Sequence, residues 1–108
     1  MNIQQLDDQF KKEAYKRELI AIEKCGHRPG RFQTMAKGGA LDAAIKLIKK
    51  REPSEGLTRL YLCNDKYPGA YKLSIEQIFI DFYEKYGNDF PDVFDKQVVE
   101  AAKRKVPK

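Results

Sequence analysis

The sequence predicts an all-α fold, a compact bundle of about five to six short helices in a single domain over residues 1–108. Three observations predict it. Apolar residues recur at spacings of three and four along nearly the whole chain, the period of a helix with one buried face. No alternating β-branched run of strand length occurs. Glycines, prolines and short polar capping residues interrupt the chain at helix-length intervals.

The elements follow in order. Ile3, Leu6, Phe10 and Ala14 mark one helical face, and Tyr15, Leu19 and Ile22 mark a second, displaced around the axis. One long helix fits this pattern, and so does an arm over residues 1–12 followed by a helix. Gly26 is a helix stop and Pro29 prevents continuation, so Arg31 to Lys37 is expected to form only a turn or two with Phe32 and Met35 inward. Leu41, Ala44, Ile45 and Ile48 then predict a helix over Ala40 to Lys50. At least one of Gly38 and Gly39, at the turn before it, is expected to take positive φ. Glu52-Pro53-Ser54-Glu55 reads as a turn into a short helix with Leu57, Leu60 and Tyr61, ending near Asn64-Asp65. Lys66 to Lys72 reads as a loop around Pro68-Gly69. Ser74 with Gln77 has the capping-box spacing, and Ile75, Ile78, Phe79, Phe82, Tyr83 and Tyr86 form the strongest apolar face of the chain, ended by Gly87. This is the expected central core helix. After Asn88 to Pro91, Val93 and Phe94 lead to Asp95, which caps a final helix bearing Val98, Val99, Ala102 and Val106, with 107–108 as a frayed tail.

Composition narrows the function classes. No apolar run approaches the roughly 18 residues of a membrane span, so no membrane partner is expected. The opening residues have neither a basic nor an apolar signal region, which predicts a cytoplasmic protein. In that setting Cys25 and Cys63 read as two reduced thiols. Cys25-Gly26-His27 is spaced too closely for the usual paired-thiolate zinc site, and no third group marks a thiol–imidazole nucleophile. Asp7-Asp8 and the Asp89/Asp92 pair read as caps or solvated charges. The glycines match no nucleotide fingerprint. The chain therefore reads as non-enzymatic, without metal or cofactor.

Charge points to a partner. Residues 1–54 hold 12 Lys and Arg against 7 Asp and Glu, whereas residues 55–108 hold 9 of each, so the net +5 lies in the first half. Arg28, Arg31, Lys37, Lys46, Lys49, Lys50 and Arg51 are the candidate nucleic-acid contacts, reaching phosphates without reading bases. In this reading Gly38-Gly39 exposes the amino end of the following helix as an anion site. In the plainer one, Gly26, Pro29 and Gly38-Gly39 only shape a corner between helices. The alternative partner is a protein, such as a defence nuclease that the chain inhibits or assists. Tyr67 and Tyr71 beside the 66–72 loop would then be the exposed contacts; in the plainer reading these aromatics only pack the loop onto the domain.

The order RPGRFQTMAKGGALDAAIKLI, EPSEGLTRLYL, LSIEQIFID and FPDVFDKQVVEAAKRKV resembles a family of small helical bacterial and prophage proteins. That family is similar to the amino-terminal head of some HNH endonucleases that restrict modified DNA. The resemblance spans roughly residues 12 to 106 and places Arg31, Phe32, Met35, Gly38, Gly39, Ala43, Ala44, Ser54, Gly56, Leu57, Leu60, Leu73 and Glu76 on its motifs. Leu57 departs from the family's aromatic residue, and Cys63 to Tyr71 is longer than the family's link. The resemblance implies an accessory or targeting role in restriction or phage defence, without nuclease activity.

Overall fold

Residues 1–26 and 36–106 are described by a computed structural model, and among them the chain forms five α-helices and no strand. The helices are α1 (Ile3–Cys25), α2 (Ala40–Lys49), α3 (Glu55–Leu62), α4 (Ile75–Tyr86) and α5 (Lys96–Lys105), with single 3-10 turns at Ala36–Gly38 and Ala70–Leu73. The all-α expectation is met.

The first segment is one helix and not an arm plus a helix. Asn2 and Gln5 make a reciprocal capping box: Gln5 N–H donates to Asn2 Oδ1 at 2.9 Å and Asn2 N–H donates to Gln5 Oε1 at 2.8 Å. At about 1.5 Å per residue, its 23 residues run nearly the length of the 37 Å long axis. Its buried stripe is Leu6, Phe10, Ala14, Ala21 and Cys25. The second predicted face is an error, since Tyr15 and Leu19 are 54% and 49% exposed. Periodicity marked them, but no described helix covers that side. Gly26 ends α1 at φ 78°, a left-handed conformation that suits glycine.

Most of the core lies between α1, α2, α4 and α5. Phe79 and Ile78 are fully buried at its centre, Phe79 packing on Phe94 at 5.2 Å between centroids and Phe10 meeting Phe82 edge-on at 5.1 Å. Arg17 ties α1 to the opposite wall: its guanidinium donates to Glu13 and Asp81 carboxylates at 2.9 Å each and to the Lys72 carbonyl at 2.8 Å. The capping box expected at Ser74 is half made. Ser74 Oγ accepts from Gln77 N–H at 3.1 Å, but the Gln77 side chain turns to Asp81.

A second, smaller apolar layer is made of Ala21, Cys25, Leu60, Cys63 and Ala70, flanked by Tyr67 and Leu73. Here the thiol expectation is overturned. Cys25, the last residue of α1, and Cys63, which closes α3, form a disulfide with their Cα atoms 5.8 Å apart. The two residues are 38 apart in sequence, so only tertiary packing reveals the pair. In the chain-entropy picture, closing a loop of that length contributes about 4 kcal/mol. Tyr61, expected on the inward face of α3, is 58% exposed, because Leu57 and Leu60 already fill the side that faces the bundle. Among the described residues, no helix is long and apolar enough to cross a membrane.

Candidate nucleic-acid interface

The predicted anion site at the start of α2 is occupied by the protein itself. Gly39 has φ 125° and no side chain to cap the helix, and Asp7 of α1 does so from 33 residues away. Its carboxylate accepts from Leu41 N–H at 2.8 Å and from Ala40 N–H at 3.2 Å. Asp42 and Asp92 line the same recess of about 360 Å³ beside Gly38 and Gly39. Three carboxylates repel a phosphate there, so this part of the sequence reading is wrong. The glycine expectation itself holds at Gly39.

The opposite end of α2 has the reverse character. Lys46 and Lys49 lie in its last turn, Lys50 and Arg51 follow, and all four are exposed. Lys37 is exposed at the other end, about 15 Å away along a helix of ten residues, and does not join them. Arg28 and Arg31 lie outside the described residues.

Packing adds three cations that the count by halves did not single out. Lys105 of α5 extends to the last turn of α2, where its ammonium donates to the carbonyls of Leu47, Ile48 and Lys50. This contact joins the carboxyl ends of α2 and α5, so Lys103 and Arg104, the neighbours of Lys105 in the last turn of α5, belong to the same end of the bundle as the Lys46–Arg51 group; Arg104 also lines a recess with Asp95, Lys96, Gln97 and Glu100. Partial burial pushes the Lys105 ammonium below the ordinary lysine range; the Glu76 carboxylate opposes that shift and Arg104 adds to it. Lys103 holds its ammonium 5.7 Å from the centre of the Tyr83 ring. The Lys-Arg-Lys run was legible in the sequence, but it sits in a half whose charges cancel.

Cations at helix carboxyl ends also have a structural use, since they complement the helix dipole. That use is too small to absorb this group. Two helix ends amount to roughly one negative charge, and Glu52, Glu76 and Glu100 add three, against seven cations at Lys46, Lys49, Lys50, Arg51, Lys103, Arg104 and Lys105. The surface keeps a charge of roughly +3. Lys46, Lys49, Lys50, Arg51 and Arg104 form no ion pair with a described residue, whereas Arg17 and Arg59 are both held by carboxylates.

Of the two readings of the loop tyrosines, the packing one fits their placement. Tyr67 and Tyr71 are half-buried, Tyr67 against the small apolar layer and Tyr71 against the main core, so they fasten the loop to the domain. The exposed residues nearby are Tyr61 and Leu62 on α3, Leu62 at 77%. Cys25 has its sulfur in the bridge, so in this form it is neither a thiolate nucleophile nor a ligand, and His27 lies outside the described residues. No known protein family, characterised protein or solved structure matches this chain.

Proposed function

We propose that this chain is a non-enzymatic module that contacts nucleic-acid phosphates through the joined carboxyl ends of α2 and α5. The observation that carries the reading is the convergence of two basic runs, Lys46–Arg51 and Lys103–Lys105, on one exposed end without matching carboxylates. Mobile lysine ammoniums with the bidentate guanidiniums of Arg51 and Arg104 suit a repeating phosphate backbone, which positions a protein without specifying sequence. Arg28 and Arg31 join the reading from the sequence alone. The resemblance to the heads of modified-DNA endonucleases supports an accessory or targeting role in restriction or phage defence. The partner in this reading is cytoplasmic nucleic acid, in a compartment where the Cys25–Cys63 bridge meets a reducing thiol pool. A second reading, a regulator that docks on a protein such as a defence nuclease, draws support from the exposure of Tyr61 and Leu62.

Binding of labelled duplex and single-stranded DNA and RNA, followed by anisotropy over a salt series, tests the first reading. Log affinity should fall linearly with log salt, and the triple variant Lys49→Glu, Arg51→Glu, Arg104→Glu should weaken binding to every sequence and flatten that slope. No binding by the wild type at low salt, or unchanged binding by the folded triple variant, rejects it. The first of these outcomes turns attention to a protein partner.

A further inference from the structure

The two apolar layers share no residue, and they are built very differently. The main core has Leu, Ile, Val and Phe from four helices, while among the described residues the small layer has one fully buried large aliphatic side chain, Leu60, among alanines and the bridged cysteines, with Tyr67 and Leu73 half-buried at its edge and Leu57 of α3 buried outside both clusters. Little apolar area is available there to offset the entropy of ordering α3 and the segment after it. α3 does not lean broadly on α1; the Ala70–Leu73 turn lies between them. The covalent link between these parts is Cys25–Cys63, at the carboxyl end of α3. At its amino end α3 is held separately, through Ser54 and Glu76 of α4.

We infer that the Cys25–Cys63 bridge is a redox latch: its reduction releases the carboxyl end of α3 and the 63–69 segment, while the main bundle with its basic end stays folded and keeps Tyr71, packed on its core, and the Lys72 carbonyl, bound by Arg17. In chemical terms, a thiolate of a dithiol reductant attacks one Sγ, the S–S bond breaks to a mixed disulfide, and the reductant's second thiol resolves it. Two electrons and two protons pass to Cys25 and Cys63, and the reductant leaves as a disulfide. Both cysteines are almost fully buried, at 6% and 5% exposure, so attack requires local opening of this layer first. Opening uncovers Leu60 beside the already exposed Tyr61 and Leu62, converting the redox state of the surroundings into access to one apolar helix face. Bridged cysteines in a reducing compartment are characteristically of this transient, sensing kind. The latch rests on the cytoplasmic setting of the proposed function but not on nucleic-acid contact, since α2 and α5 belong to the main core.

Hydrogen exchange read by mass spectrometry on the full chain tests it, comparing air-oxidised protein with protein treated with dithiothreitol. Amides from Leu60 to Gly69 should exchange roughly tenfold or more faster after reduction, while those of Ile78–Phe82 and Val98–Lys105 keep their protection. The double variant Cys25→Ser, Cys63→Ser should reproduce the reduced pattern without reductant. Three results overturn the latch: equal exchange in both states, loss of protection across α4 and α5 as well, or two free thiols on alkylation of the air-oxidised protein.

Discussion

Glu76 holds Ser54 from across the fold: its fully buried carboxylate accepts from the Ser54 N–H at 3.0 Å and from the Ser54 hydroxyl at 2.9 Å. Ser54 Oγ in turn accepts from Leu57 N–H at 3.1 Å, so one acid on α4 orients the cap of α3. Removing the carboxylate leaves a buried N–H and hydroxyl without an acceptor.

Glu76→Ala should therefore cost about 3 to 5 kcal/mol in urea denaturation, and Ser54→Ala about 1 to 2 kcal/mol. A double-mutant cycle on the pair should give a coupling of about 1 to 3 kcal/mol, and additive costs would mean that the two act independently.

Asp7→Ala should cost about 1 to 2 kcal/mol, because the first two N–H groups of α2 lose their acceptor. In an amide spectrum the largest shifts should fall on Ala40 and Leu41, far in sequence from the substitution.

Adjacent glycines should respond with opposite signs. An added Cβ at Gly38 meets nothing within 4 Å, and its φ lies outside the left-handed region. Gly38→Ala should therefore be neutral or stabilise by up to about 1 kcal/mol through the unfolded chain. Gly39, at φ 125°, has no comparable freedom, and Gly39→Ala should destabilise by about 1 kcal/mol or more. Thermal melting of the two variants separates backbone strain from crowding.

Lys105→Met should lose about 1 kcal/mol at neutral pH through the uncapped carbonyls of α2. The pH dependence has a definite sign. With a folded pKa below its unfolded value, Lys105 releases its proton more readily in the native state, so its linked contribution rises as pH climbs from the folded to the unfolded pKa and is lost as pH falls back through the folded one. Stability curves of wild type and variant should diverge in slope across that alkaline window.

What the sequence by itself determined is what local forces decide. The helical period placed α2, α4 and α5, while Ser74 and Asp95 announced their helices because a cap acts on N–H groups two or three residues away. Phe79 was legible as core because both neighbouring turns repeat its apolar face. Tertiary structure alone decided the contacts that cross the chain: Asp7 on α2, Glu76 on Ser54, Lys105 on the α2 carbonyls and Cys25 on Cys63. Each joins polar or sulfur atoms more than 20 residues apart, where no periodicity carries information. The candidate surface divides the same way. Its lysines and arginines were visible one by one, but which of them share an end of the bundle depended on how two helix termini pack, and that packing moved the basic surface away from the glycine corner.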